Sequence, residues 1–164
     1  MAERHQFSTF FVDGSLFGIE VEKVHEVTSI AEITPVPLCP PMVRGLINLR
    51  GRIVTAVDLR RCLQRDERAN GTRPIHLIVY TDDGLASFLV DQVDDVMEVD
   101  DVTFESPPET LDECCRELIR GTYKLDGRLL LVLDVEAIMN GISVNVPAQS
   151  DGAYQDAQIG RSPS

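Results

Sequence analysis

The feature that most constrains the fold is an internal repeat. Arg44, Gly45, Leu49, Gly51, Arg52, Asp58 and Leu63 are answered, 76 residues later, by Arg120, Gly121, Leu125, Gly127, Arg128, Asp134 and Met139. Ile53, Val54 and Val57 meet Leu129, Leu130 and Leu133 at the same offset. Upstream, Ile19, Val21, Val24 and Val27 match Phe88, Val90, Val93 and Val96 at an offset of 69. Chance agreement over one such segment is easy; over two in the same order it is not. Two units with one pattern in a chain of 164 residues predict two similar small halves.

Within each unit the pattern is one of short strands. Residues 7–12 are apolar and rich in aromatic and branched side chains, and Asp13-Gly14 then marks a tight turn into 16–20. Residues 46–49 and 53–57 flank a turn at Arg50-Gly51. The order returns with strands at 75–81 and 85–90 around Asp82-Asp83-Gly84, and a hairpin of 119–125 and 129–133 around Asp126-Gly127. Val21, Val24 and Val27 recur every three residues with charged residues between them, which predicts a short helical turn laying valines on the core; Val90, Val93 and Val96 repeat the spacing. Pro35, Pro37, Pro40 and Pro41 exclude a regular helix over 34–42. Asp58 and Asp134 are candidate N-caps of short helices running to Leu63 and Met139, and 64–73 reads as a polar loop.

A sheet of about five short strands hides its edges best by closing. The fold class is therefore all-β: two five-stranded β-barrels arising from a duplication, with short helical turns. The domain spans 6–141, in halves of 6–63 and 75–141 whose strands are free to complete one another. Residues 142–164, rich in Ser, Asp, Gln, Gly and Pro, form a flexible tail. They are too few for a phospho-receiver domain.

Charge and cysteine content narrow the function. Residues 82–117 hold thirteen acids against the single Arg116, a balance of −12; residues 44–73 hold eight arginines against Asp58, Asp66 and Glu67, a balance of +5. An acidic and a basic half predict electrostatically complementary protein contacts, or simply two solvated faces. The basic segment has almost no aromatic residues to stack on bases, so nucleic acid is not the expected partner. No apolar run reaches the length of a membrane span and residues 1–6 lack a signal core, so the chain reads as neither membrane-spanning nor secreted. Cys39, Cys62, Cys114 and Cys115 make no C-x-x-C ligand pair and read as free thiols, with a vicinal redox couple at Cys114 and Cys115 as the enzymatic alternative. No phosphate-cradling glycine loop or serine-nucleophile elbow is present, and His5, His25 and His76 are not grouped with cysteines or carboxylates, so no catalytic residue, metal or cofactor is assigned. What remains is an interaction surface.

The run Arg44-Gly45-Leu46-Ile47-Asn48-Leu49-Arg50-Gly51-Arg52-Ile53-Val54, continued by Val57-Asp58-Leu59-Arg60, resembles the signature of CheW-like chemotaxis coupling proteins. Phe17-Gly18-Ile19 with Val24-His25-Glu26-Val27, Leu89-Val90-Asp91 with Val93 and Val96, and Arg120-Gly121 with Asp126-Gly127-Arg128 are similar to other parts of that family, so the resemblance covers roughly residues 6–141. It implies two SH3-like barrels around a shared apolar interface. It also implies a non-enzymatic, cytoplasmic adaptor that binds the tip of methyl-accepting chemoreceptors and the regulatory domain of a histidine kinase, a monomer on its own and a member of rings within membrane receptor arrays. By resemblance, Glu26, Arg50 and Gly51 would face the kinase, with Glu26 and Arg50 bridged to each other. Val24, Val27, Gly45, Asn48, Leu49, Val93 and Val96 would lie along or beneath a receptor groove. For the valines a plain core role is the competing reading, and for the two glycines turn geometry is. Thr55 stands where the family usually has proline, on a strand where proline would protect an edge, and Ser87 where it usually has glycine. Both departures suggest a different partner set, such as a surface-motility pathway.

Overall fold

The computed structural model describes residues 4–69, 71–100, 103–107, 109 and 112–144, apart from the side chains of Cys114, Ser143 and Val144. The elements are β1 (Arg4–Val12), β2 (Ser15–Glu20), a 3-10 turn (Val21–Lys23), β3 (Val24–Thr28), β4 (Val43–Leu49), β5 (Arg52–Asp58) and α1 (Leu59–Cys62). They continue with β6 (Ile75–Thr81), β7 (Gly84–Val90), β8 (Gln92–Asp100), β9 (Phe104–Glu105), α2 (Glu113–Leu118), β10 (Ile119–Leu125), β11 (Arg128–Leu133) and α3 (Val135–Val144). One sheet has the order β8-β1-β2-β11-β10-β9 and the other β3-β6-β7-β5-β4. The all-β fold expected from the repeat is what forms.

The sheets do not follow the repeats. Each takes one hairpin from one repeat and its other strands from the second: β1–β2 joins β8, β10 and β11, while β6–β7 joins β3, β4 and β5. Each sheet has one antiparallel join, β1–β8 or β3–β6, and one parallel join, Thr55↔Ala86 and Ala56↔Ser87 in one sheet, Leu131↔Phe17 and Val132↔Gly18 in the other. The parallel pairs are related by the same offsets of 76 and 69 that relate the sequences, so the two exchanges are copies of one another.

Three apolar cores result. Phe7, Leu16, Val99, Tyr123, Leu130 and Val132 fill the six-stranded sheet's own interior. Ile47, Leu49, Val54, Ala56, Ile78 and Leu89 fill that of the five-stranded sheet. The largest core is shared between them, with Phe10, Phe17, Leu133 and Ile138 meeting Val57, Leu77, Val79 and Phe88. Burying a large apolar side chain is worth about 1.5–3 kcal/mol, so the shared core binds the halves into one body.

The hairpin turns follow from φ. Asp13 (+50°) with Gly14 (+81°) and Arg50 (+51°) with Gly51 (+90°) give two-residue turns in which both central residues are left-handed, the geometry that suits the twist of paired strands. Asp58 caps α1 by accepting the Arg60 N–H (3.0 Å), and Asp134 caps α3 by accepting that of Ala137 (3.1 Å). Helix α3 runs past the predicted Met139 to Val144, because Ile142 continues the stripe that Ile138 buries in the shared core. Residues 145–164, most of the expected tail, lie outside the described residues.

The valine spacing has a different cause from the helical turn it predicts. Only Val21–Lys23 is helical; Val24 and Val27 lie on β3, and Val93 and Val96 on β8. Between Val24↔Val79 and Val27↔Leu77, β3 holds one residue more than β6, and between Val93↔Phe10 and Val96↔Ser8, β8 holds one more than β1. A bulge inserts one residue into a period of two, so side chains three apart return to the same face. The repeated spacing is two β-bulges.

Candidate functional site

The β4–β5 turn presents its residues outward. Gly51 donates its N–H to Asn48 Oδ1 at 2.8 Å, which holds the turn and leaves Arg50 exposed at its tip. Arg50 Nη1 donates to Glu26 Oε2 at 3.1 Å, and Nη2 donates to Oε1, so the guanidinium grips the carboxylate with both nitrogens. These hydrogen bonds hold the Glu26 carboxyl below the usual carboxylate range. His25 Nδ1 lies 3.0 Å from Glu26 Oε1, and its ring meets the edge of Tyr80 at 5.3 Å between centroids. His25, Leu49, Arg50, Arg52 and Leu85 line a shallow depression of about 220 Å³ beside this pair, and Ile53 projects into solvent next to it. Glu26, Arg50 and Gly51 are thus brought together.

The second set divides by burial. Val24 and Val93 pack half-buried against the shared core. Val27 and Val96, on the same faces by the bulges just described, are 46% and 56% exposed. The four valines therefore run from the core between the sheets out to its rim, two on each edge strand. Leu49 is buried in the five-stranded sheet's own core, and Asn48 is spent on the turn. Gly45 (φ +148°) is buried, and a Cβ there would lie 2.2 Å from the Thr34 carbonyl oxygen, so it serves close backbone approach. At Gly51 a Cβ would meet nothing within 4 Å, and only its φ requires glycine.

Sequence reasoning missed a polar cluster. Asp58, 1% exposed, accepts from Arg44 Nη1 (3.0 Å) and Arg68 Nη1 (3.1 Å). Asp91 accepts from Arg60 Nε (3.0 Å) and Nη2 (2.6 Å) and from the Asp13 N–H (2.7 Å). Burial pushes the Asp91 carboxyl up, but the Arg60 and Asp13 hydrogen bonds and the Arg68 charge together hold it below its usual range. Arg61 pairs with Glu67 at 2.8 Å and Arg65 with Asp13 at 3.5 Å. Most arginines of 44–73 are therefore paired with carboxylates of the molecule itself, and Arg50, Arg52 and Arg73 are the ones left exposed, rather than the whole segment forming a basic docking face. Only pairing of acids and bases far apart in sequence reveals this.

The remaining candidates are placed as follows. Cys115 is buried and its thiol donates to the Leu63 carbonyl at 3.4 Å; Cys114's side chain lies outside the description. Burial first, then the nearby Asp58 and Cys115, push the Cys62 thiol up to about 12, which suits a packed thiol rather than a nucleophile. Among the described residues no group of three or more His, Cys, Asp or Glu could hold a metal ion. Among the described residues no helix is long and apolar enough to cross a membrane. Thr55 lies on β5, flanked by β4 and β7, so the edge-protection argument for that position is corrected: the strand is interior because the exchange of hairpins covers it. Ser87 is fully buried. Neither departure lies at the Arg50 turn or among the four valines.

Residues 6–143 match the CheW-like domain family. The chain is 30% identical over 136 residues to the chemotaxis protein CheW of Thermotoga maritima, covering 83% of this chain and 88% of that one. It is 30% identical over 131 residues to CheW of Bacillus subtilis, covering 80% and 84%. Among solved structures it is similar to the scaffolding protein TtCheW from Thermoanaerobacter tengcongensis, with a TM-score of 0.74, 27% identity, and coverage of 83% of this chain and 92% of that chain.

Proposed function

From the premise that this chain belongs to the CheW-like domain family, we propose that it is a non-enzymatic, cytoplasmic adaptor coupling chemoreceptors to the regulatory domain of a histidine kinase. It is a chemotaxis adaptor of CheW type; the two partners and the surfaces they use are the proposal. The kinase docks on the Arg50 face, with Glu26 and Gly51. The receptor tip docks on the valine rim, where Val27 and Val96 make contact and Val24 and Val93 anchor the strands beneath. Gly45 and Leu49 shape the support of these surfaces, and Asn48 holds the turn.

The observation that carries this reading is the presentation of Arg50. Arg50, on an exposed turn tip with its guanidinium held by Glu26 of another strand, is preorganised to meet a partner. Coupling then needs binding geometry alone. By holding kinase and receptor in register, the adaptor lets a small receptor movement shift the kinase between active and inactive populations. The test is reconstitution of receptor, kinase and this chain on vesicles, reading kinase autophosphorylation. Stimulation that depends on the chain is the expected result, and none at saturating concentration overturns the reading.

A further inference from the structure

We infer that Arg68 is a positioning residue for the receptor-docking rim, acting through Asp91 on strand β8; this rests on the reading of that rim given above. Asp91 is where the chain leaves the five-stranded sheet at β7 and enters the six-stranded sheet at β8. Its N–H donates to the Phe11 carbonyl at 3.0 Å, and its carboxylate is held by Arg60 and by the Asp13 N–H. Arg68 arrives from the 64–73 connection with its side chain only 7% exposed. It donates Nη1 to Asp58 at the end of β5 (3.1 Å) and Nη2 to the Leu89 carbonyl on β7 (3.1 Å). Its Nε lies 2.9 Å from Asp91 Oδ1 in a charge contact whose N–H is not aligned for a hydrogen bond. One side chain thus ties β5, β7 and the crossover together, and Val93 follows two residues later.

The duplication separates this cluster from the needs of the fold. At the matching junction of the other repeat, Glu136 stands where Arg60 does and the exposed Glu22 where Asp91 does, yet the same strand exchange forms. A buried ion network adds little stability over apolar packing, because desolvation offsets its attraction. What it supplies is directional restraint, and here that falls on the strand carrying Val93 and Val96. The valine rim is split between two sheets, so it is complete only when β8 is held at a set position relative to the other sheet.

The test uses the full chain as wild type, Arg68→Met and Arg68→Lys. Each is titrated with a soluble receptor signalling-tip fragment and, separately, with the kinase regulatory domain, and amide hydrogen exchange is followed at residues 92–96. Arg68→Met is expected to weaken receptor binding about five- to tenfold, to speed exchange in that segment and to leave kinase binding unchanged. Arg68→Lys, which keeps the charge, recovers part of the loss, and it carries the comparison should Arg68→Met fail to fold. Undiminished receptor affinity, or a parallel loss toward both partners, overturns the inference. If wild type binds no receptor fragment, the functional reading fails with it, and the exchange data show separately whether Arg68 restrains β8.

Discussion

Arg50, at the tip of the β4–β5 turn, holds Glu26 of β3 by two hydrogen bonds, the Nη1–Oε2 contact measuring 3.1 Å. The pair joins an exposed turn to an edge strand, and it is surface chemistry. Exposed ion pairs contribute little to stability, so reversing one charge tests docking without unfolding the protein. Arg50→Glu is expected to leave the thermal midpoint close to wild type and to abolish binding of the kinase regulatory domain. Calorimetric titration beside a melting curve checks both; a folded variant that still binds removes Arg50 from the interface.

His76 and Ser87 make a second pair whose meaning comes from the duplication. The His76 Nδ1 and Ser87 Oγ lie 3.0 Å apart, both buried. Their counterparts at the offset of 69 are Phe7 and Gly18, where a Cβ on the glycine would come within 3.2 Å of the Phe7 Cβ. Each sheet thus solves one packing problem differently: a larger ring over no side chain, or a polar ring bonded to a hydroxyl. His76→Phe alone strands the Ser87 hydroxyl in the core, at a cost of about 1–3 kcal/mol. Adding Ser87→Gly should recover much of it. A urea-unfolding double-mutant cycle measures the coupling, and strictly additive effects would sink the argument.

The same histidine sets a pH dependence. Burial lowers its pKa, offset in part by a hydrogen bond to the Ala31 backbone. Between the unfolded value of about 6.5 and the lower folded one, the unfolded chain binds a proton that the folded protein resists. Stability therefore falls as pH drops through that window and is fully present above it. Melting midpoints should decline from pH 7 toward pH 5 in wild type and stay flatter in His76→Phe/Ser87→Gly.

The repeat made the fold legible because hairpin turns and core positions recur at constant offsets. The exchange of hairpins was not legible, since Thr55↔Ala86 and Leu131↔Phe17 leave no local trace in strands that are apolar throughout. The bulges in β3 and β8 imitated a helical period, because one inserted residue turns a spacing of two into three. At the site, Glu26 and Arg50 came from a resemblance, and their contact is visible only in three dimensions. Arg68 sat in a stretch that reads as polar loop, and its burial depends on Asp58 and Asp91, ten and twenty-three residues away in opposite directions.

Asp58 and Asp134 occupy equivalent positions, and their replacement should not cost the same. Asp134 caps α3 through one hydrogen bond to Ala137, so Asp134→Ala should cost about 1 kcal/mol. Asp58 also receives Arg44 and Arg68 in a buried setting, and Asp58→Ala leaves the Arg68 charge without that partner. Removing one member of a buried pair costs about 3–5 kcal/mol. Denaturant midpoints of the two variants, compared at equal slope, should differ in that order; equal losses would mean that the arginines relax to solvent.

The valine rim gives the sharpest separation of docking from folding. Val27 and Val96 point outward on the two edge strands, while Val24 and Val93 on the same faces are half-buried against the shared core. A lysine at either outer position keeps its charge in water, so Val27→Lys and Val96→Lys should each change stability by no more than about 0.5 kcal/mol. Each places a charge in what is proposed as an apolar contact, and the affinity for a receptor signalling-tip fragment should drop about tenfold. Val24→Lys and Val93→Lys should instead lower stability, because the ammonium must leave the shared core or lose its hydration there. The two outer changes should weaken receptor binding alike, because the rim needs both sheets. If only one of them matters, the receptor sits on one edge strand, and the reason for fixing β8 relative to the other sheet disappears with it.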